Sequence, residues 1–461
     1  MGRRSPATRV CDVLGVGFGP SNLALAIAVD EYNRSMRPAV ALDAAFVDKQ
    51  ERFGWHRGML IDDATMQVSF LKDLVTMRDP TSAHSFVAYL HERGRLVDFM
   101  NHKTLFPLRI EFHDYLEWAA QRMSHLVDYG REVVDVEPVP EDGVVSAFDV
   151  TIREHGNEHV RRARNLVLAA GLDLRMPPGI ERSARVWHNC DFLRCVDALP
   201  DGSRPRRFAV IGAGQSAAEV TGYLHREFPD AEVCAVFSRY GYTPADDSPF
   251  ANRIFDPDAV DMYYSAPPAV KQMLLDYHSN TNYSVVDPDL IDELYRRTYQ
   301  EKVAGHERLR IHPTCKVLKV RDGDEEVRLT IESMASGERT EIVADAVVFA
   351  TGYRPVCPLG LLGSAQSLCD TDDHGHVRVE RDYRIATTCE MSAGIYIQGA
   401  TEHSHGIGSS LLSNTAVRAG EILDSLLRHV RPRRADLAQF VATCPGADYG
   451  YDLRWPPIRS K

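Results

Sequence analysis

The chain has 461 residues, 44% of them hydrophobic, and carries 53 Lys and Arg against 65 Asp and Glu, a formal net charge of −12. That length leaves room for two or three domains, and the acidic balance excludes nucleic acid as the main partner, because no basic excess is available to neutralise phosphates. The basic start MGRRSPATRV leads into an apolar run that glycines interrupt, and no stretch reaches the roughly 18 apolar residues of a membrane span, so neither a secretory leader nor a membrane partner is expected and the protein reads as cytoplasmic.

The first element is a short apolar strand running into glycines, DVLGVGFGPSN at 12–22. Gly15 reads as the residue that allows a tight strand-to-helix turn. Gly17 reads as the one whose missing Cβ lets backbone approach a pyrophosphate at a helix N-terminus. Gly19 follows, and Pro20 stands where a third fingerprint glycine would sit; at the first helical turn its missing N–H costs nothing and its φ is already helical. Ser21 and Asn22 offer side-chain donors beside the phosphates. The next strand, AAFVDK, ends in Asp48, an acid suited to a ribose diol.

Farther on, HDYLEWAAQRMSHLV (113–127) reads as an amphipathic helix with Leu116, Ala119, Ala120, Met123 and Leu126 on one side. A second strand-plus-glycine unit, RFAVIGAGQSAAEV at 207–220, fits GxGxxA better than the first fits its pattern: Gly212, Gly214 and Ala217. Its next strand, AEVCAVFSR, ends in Ser238 and Arg239 in place of an acid. A hydroxyl and a guanidinium there suit a 2′-phosphate, so NADPH is expected over NADH. DELYRRTYQEKVAG (292–305) has helical spacing. NLVLAAG (165–171) and DAVVFATGYRP (345–355) are two apolar strands that each close on a small-residue turn.

These elements give an α/β chain with two nested Rossmann-like dinucleotide-binding domains. The expected division is 1–195 and 346–461 for one domain and an inserted 200–345 for the other. Two such sites in one chain imply electron transfer from NADPH to a bound flavin. The nine cysteines are scattered without CxxC or metal-ligand spacing, which suits a reducing compartment and no metal; Cys190 and Cys195 read as structural.

Five stretches go beyond a generic reductase: MQVSFLKDLVTMRDPTSAHSFVAYLHERGRLVDF (66–99), PADDSPFANRIF (244–255), HSNTNYSVVD (278–287), FATGYRP (349–355) and HGIGSSLLS (405–413). In these the chain resembles the N-hydroxylating flavin monooxygenases of siderophore biosynthesis, most of all the L-ornithine N5-monooxygenases, over residues 10–425. The resemblance implies an FAD domain, an inserted NADPH domain and a small helical substrate region. It places FAD along DKQERFGWH, with Asp48, Lys49, Trp55 and His56, puts Gln67 by the flavin ring and Val133 by the adenine end, and closes the flavin site with Gly408, Ser409 and Ser410. It matches Ala213, Gly214, Gln215 and Ser216 to the NADPH loop and lines the nicotinamide with Asn282, Tyr283 and Ser284. Lys72 corresponds to the lysine that meets the substrate carboxylate, Asn252 and Asn282 to the asparagines that hold the amino-acid backbone, and Leu411 to a residue beside the substrate side chain. Asparagine serves more often as a turn residue.

The implied reaction is hydroxylation of the side-chain amine of ornithine by O₂, with catalytic duty on Lys72, Gln67 and Asn282 and a dimer or tetramer as the assembly. The amine must be neutral to react, so its end of the pocket should be partly desolvated and free of carboxylates. Lysine N6-hydroxylation and diamine hydroxylation stay open beside it, since one methylene in an apolar pocket discriminates by only about 1–3 kcal/mol. WHNCDF (187–192) weakly resembles the Baeyer–Villiger and flavin-containing monooxygenases, and a non-catalytic flavoprotein is the alternative from another class.

Overall fold

The computed structural model describes residues 10–36, 40–200 and 202–429. The basic N-terminal stretch, Cys444 and the last part of the expected 346–461 segment lie outside the described residues.

Strand β1 (Val10–Val16) is buried from Cys11 onward, as an apolar run covered on both faces must be. It leads into α1 (Pro20–Ser35), which has Pro20 at its start, Gly19 as N-cap and a buried run from Asn22 to Asp30. After β2 (Ala44–Asp48) the chain makes a long excursion through α2 (Phe86–Glu92), α3 (Leu96–His102) and α4 (Arg109–Arg122). The expected 113–127 helix thus starts earlier and stops sooner: the Met123 N–H closes on the Ala119 and Ala120 carbonyls, and the chain turns into β3 (Val127–Tyr129). Leu116, Ala119, Ala120 and Met123 are buried as one face.

Three long antiparallel strands follow, β4 (Arg131–Glu141), β5 (Val144–Glu154) and β6 (Asn157–Leu168). The first sheet runs β3-β2-β1-β6-β5-β4. One core fills the face under α1 and α4, and a second fills the opposite face behind β4–β6.

The second sheet is parallel throughout, in the order β11 (Leu309–His312), β10 (Glu232–Val236), β9 (Arg207–Ile211), β15 (Ala346–Phe349), β8 (Val186–His188). After β7 (Leu172–Leu174) the chain enters it through β8 (Val186–His188), passes α5 (Phe192–Asp197), and reaches β9 (Arg207–Ile211), α6 (Gln215–Glu227) and β10 (Glu232–Val236). A helical excursion, α7 (Pro257–Ser265), α8 (Pro268–His278) and α9 (Pro288–Ala304), precedes β11 (Leu309–His312). The α9 helix starts ahead of the expected 292 because the Asp287 carboxylate caps it, accepting from the Asp289 N–H, and it ends at left-handed Gly305. A small antiparallel sheet of β12 (Cys315–Asp322), β13 (Val327–Ser333) and β14 (Arg339–Ala344) covers one face, and β15 (Ala346–Phe349) completes the parallel layer.

Two boundaries move from the expected 200 and 345. Both β8 and β15 hydrogen-bond into the second sheet, so this unit takes strands from before residue 200 and after residue 345. The two chain crossings lie side by side, β16 (Tyr353–Pro355) pairing antiparallel with β7. The chain then returns to the first sheet, where β17 (Gly394–Ile397) pairs in parallel with β6, and finishes through α10 (Glu402–His405) and α11 (Thr415–His429). No helix among the described residues is long and apolar enough to cross a membrane. The eight cysteines among them are all unbridged.

Candidate active site

The two glycine turns have one design. Gly17 has φ +83°, and a Cβ there would stand 2.3 Å from the Ala169 carbonyl oxygen; Gly212 has φ +141°, and a Cβ there would stand 2.3 Å from the Ala350 carbonyl oxygen. Neither position accepts a side chain. Two residues later Gly19 and Gly214 are the N-caps of α1 and α6, and neither helix has a side-chain cap.

This equivalence corrects the frame of the first motif. The working glycines are Gly17 and Gly19, so the third fingerprint position is Asn22, matching Ala217, and Pro20 matches Gln215. Gly15 lies inside β1, where a Cβ would meet the Phe46 ring at 2.1 Å; it makes room for packing and forms no part of the turn. The missing Cβ of Gly17 faces Ala169, whereas nothing lies within 4 Å of the corresponding point on Gly19. Asn22 does not reach outward. It is fully buried, donating to the Gly17 carbonyl at 2.7 Å and accepting from Gln398 Nε2 at 2.8 Å.

Asp48 ends β2 beside this turn. Its Oδ2 accepts from the Phe18 N–H at 2.6 Å and its Oδ1 from the Gln50 N–H at 2.7 Å, so the carboxylate braces the glycine loop and keeps only spare lone pairs for a ribose. Lys49 is exposed. Trp55 and His56 meet edge to face at 4.5 Å, and Tyr353 lies 6.2 Å from His56 and 5.2 Å from His188. His56 is open to solvent yet surrounded by protein mass, the situation of a side chain lining a hollow. Desolvation there, with the Arg109 and His113 charges, holds its pKa down at about 4, so the ring is neutral. Its backbone is left-handed, φ +50°, a strain that concentrates at functional sites. Gln67 is exposed beside the hydrogen bond of the Met66 N–H to the Pro107 carbonyl. Val133 sits in the apolar layer that also holds Val47.

At the second turn Gly212, Ala213, Gly214, Gln215 and Ser216 are half-buried, while Ser238 and Arg239 stand exposed at the end of β10. The Asn282–Ser284 stretch folds against this turn. Ser284 Cα lies 3.4 Å from the point a Gly214 Cβ would occupy, Arg239 Nη1 donates to the Ser284 carbonyl at 2.9 Å, and Gln215 Oε1 accepts from the Asp287 N–H at 2.8 Å. Ser284 is itself left-handed, φ +57°.

From there the seam reaches the return segment. The Tyr283 hydroxyl donates to Glu402, whose Oε1 also accepts from Ser410 Oγ at 2.5 Å. Gly408 packs on the turn that carries Asn252: a Cβ there would lie 3.4 Å from the Ile254 carbonyl oxygen and 3.7 Å from Phe255 Cα. Asn252 Nδ2 donates to the Asp247 carbonyl at 2.6 Å. Lys72 reaches the same turn from the other side, its Nζ 5.6 Å from the centre of the Phe255 ring. Burial lowers the Lys72 pKa and the nearby Asp256 charge opposes that shift. Leu411 is half-buried at the start of the short helix Leu412–Asn414. Ser409 turns inward: its hydroxyl donates to the Gly406 carbonyl at 2.8 Å and accepts from Thr401 Oγ1 at 2.9 Å, so it shapes the loop from within.

Two residues in this region carried no sequence signal. Glu402 is one acid among many until the fold sets Tyr283 and Ser410 on it. Arg418 is a buried guanidinium behind the first turn.

The groups present fit two dinucleotides. Each turn offers an uncapped helix N-terminus to an anion, the first with open space at Gly19 and the second with an exposed guanidinium placed for an extra phosphate. A mixed sheet and a parallel sheet, two such cradles and a polar seam between them define a two-dinucleotide flavoprotein oxidoreductase. The chain belongs to the L-lysine 6-monooxygenase/L-ornithine 5-monooxygenase family, whose model matches residues 9–355. It is 40% identical to an L-ornithine N(5)-monooxygenase of Pseudomonas aeruginosa over 92% of this chain and 96% of that protein. A Kutzneria ornithine N-hydroxylase solved with reduced FAD, NADP⁺ and L-ornithine superposes with a TM-score of 0.86 at 46% identity, over 91% of this chain and 99% of that one. An L-lysine 6-monooxygenase from Pseudomonas syringae superposes at 0.80 with 31% identity, over 91% of this chain and 100% of that one.

Proposed function

We propose that the chain is an FAD- and NADPH-dependent L-ornithine N5-monooxygenase, converting ornithine, O₂, NADPH and a proton into N5-hydroxyornithine, NADP⁺ and water. The turn formed by Gly17 and Gly19 holds FAD, the turn formed by Gly212 and Gly214 holds NADPH, and the amino acid lies in the seam between them. FAD and NADPH, when bound, supply the reducing power that activates O₂ for insertion. The FAD domain is the first sheet with its return segment, and the NADPH domain is the insertion between β7 and β16. The reading includes a cytoplasmic enzyme that works as a dimer or tetramer and feeds hydroxamate siderophore or related biosynthesis.

The observation that carries it is Lys72: a half-buried cation poised over Phe255, on the turn that bears Asn252. Burial disfavours its charged form, and a substrate carboxylate restores that form. Asn252 and Asn282 orient the backbone end, Leu411 flanks the side chain, and Gln67 faces the ring of the flavin. The far amine, an alkylammonium with a pKa of about 10.4 in water, loses its proton more readily as the seam closes around it. Ornithine is favoured over lysine by the nearer ornithine relatives, and over a diamine because a diamine brings no carboxylate to Lys72. The test is hydroxylated-amine formation from ornithine, lysine and putrescine in parallel. The highest kcat/KM belongs to ornithine; a higher value for either of the others overturns the substrate assignment.

A further inference from the structure

Arg418 heads the fully buried large side chains, with 1% of its surface exposed. Every group it hydrogen-bonds is neutral. Its Nε donates to Gln398 Oε1 at 3.3 Å, its Nη1 to the Ser409 carbonyl, and its Nη2 to Ser21 Oγ at 3.1 Å and Thr415 Oγ1 at 3.2 Å. No carboxylate among the described residues forms an ion pair with it. The acid one turn along, Glu421, is gripped through both oxygens by Arg381 at 2.8 and 3.0 Å. Burial pulls the Arg418 guanidinium below its usual pKa, and the nearby Tyr383 and Glu421 charges offset that only in part.

A buried charge without a partner is expensive, and the hydrogen bonds to neutral oxygens satisfy the N–H groups without balancing the charge. The position of Arg418 indicates what balances it. Ser21 is the second residue of α1, the helix whose N-terminus is uncapped and whose Gly19 faces open space. Gln398, which accepts from Arg418, also donates to Asn22, and Asn22 holds the Gly17 carbonyl. The guanidinium therefore stands one hydroxyl behind the first turn of the helix, at the base of the first cradle.

We propose that Arg418 is the internal counter-charge for the diphosphate of FAD, a positioning residue that acts through Ser21 and the first turn of α1 without touching the flavin ring. This rests on the placement of FAD in the first cradle. A neutral substitution removes the charge that the diphosphate compensates, so it weakens the cofactor's phosphate end more than the ring pocket, which Arg418 reaches only through the Ser409 carbonyl.

The experiment uses the full-length chain as wild type, Arg418→Met, Arg418→Gln and Arg418→Lys, each stripped of flavin. Affinities for FAD and for riboflavin, which has no phosphates, are measured by flavin fluorescence, and melting temperatures with and without FAD. Arg418→Met and Arg418→Gln should lose at least tenfold more affinity for FAD than for riboflavin. Without FAD they should melt no lower than wild type, and FAD should raise their melting temperature less. Arg418→Lys should keep most of the FAD preference. Equal losses for FAD and riboflavin, or unchanged FAD affinity, overturn the proposal. If Arg418→Met does not fold, Arg418→Gln decides by the same ratio, and failure of both neutral variants to fold while Arg418→Lys folds and binds FAD only as tightly as riboflavin also overturns it. Wild-type chain that binds no FAD refutes the cofactor placement itself, a separate failure.

Discussion

The Tyr283 hydroxyl donates to the Glu402 carboxylate, joining the stretch that lies against the second glycine turn to the return segment of the first sheet's domain. Ser410 Oγ bonds the same oxygen at 2.5 Å. Burial and the Glu402 charge together raise the Tyr283 pKa, so the phenol stays protonated and remains the donor. Glu402→Ala should loosen the Asn282–Ser284 stretch, raising KM for NADPH several-fold and diverting reducing equivalents to hydrogen peroxide. Glu402→Gln keeps an acceptor oxygen and should lose much less. Product and peroxide per NADPH, measured for both variants, check this; unchanged coupling in Glu402→Ala refutes the role.

Lys72→Ala should raise KM for ornithine at least tenfold while NADPH oxidation continues with peroxide release. The pH dependence has a definite sign. Burial depresses the Lys72 pKa below the ordinary lysine value, so the ammonium is present at low pH and is lost as pH rises through that lowered value. Affinity for the ornithine carboxylate should fall over the same alkaline range in wild type and show no such step in Lys72→Met. Titrating ornithine binding against pH in both proteins checks it.

Because Arg239 stands exposed at the end of β10 and already holds the Ser284 carbonyl, Arg239→Ala should act on NADPH far more than on NADH. Loss of a charge-assisted hydrogen bond of about 1.5–3 kcal/mol corresponds to a rise in KM for NADPH of about tenfold or more. Steady-state kinetics with both nucleotides check it; equal effects on the two contradict a reader of the 2′-phosphate.

The matched turns predict separable losses. Gly17→Ala places a methyl against the Ala169 carbonyl at a positive φ, and Gly212→Ala does the same against Ala350. Gly17→Ala should abolish bound flavin. Gly212→Ala should stay yellow and lose reduction by NADPH. Absorbance spectra before and after NADPH distinguish the two.

Arg109 on α4 and Glu219 on α6 form a two-toothed ion pair at 2.6 and 2.8 Å between the two sheets' helices, with 11% and 5% of their side chains exposed. Removing one partner leaves a buried charge, so Glu219→Ala should destabilise the chain by about 3–5 kcal/mol. Replacing both by apolar residues of similar volume should cost less. Chemical denaturation of the two variants measures the difference.

The sequence made the second cradle plain, because GxGxxA between a strand and a helix is a local pattern. It misframed the first by one glycine: DVLGVGFGPSN offers two overlapping GxG pairs, and only the end of β1 and the approach of Ala169 decide between them. The extent of the second sheet was hidden for a related reason, since β8 is three residues long and has meaning only through its parallel neighbour β15. Long ordered motifs single out Lys72, Asn252, Asn282 and Ser410 as candidates. They do not single out Glu402 and Arg418, because what sets these two apart is burial and partners from distant parts of the chain, which no local window contains.

The most direct measurement is the stoichiometry of the wild-type enzyme with bound FAD: N5-hydroxyornithine formed per NADPH consumed in air with saturating ornithine. Two cradles serving one seam predict a ratio near one-to-one, with little hydrogen peroxide. NADPH consumed without any hydroxylated ornithine, all of it appearing as peroxide, would contradict the account.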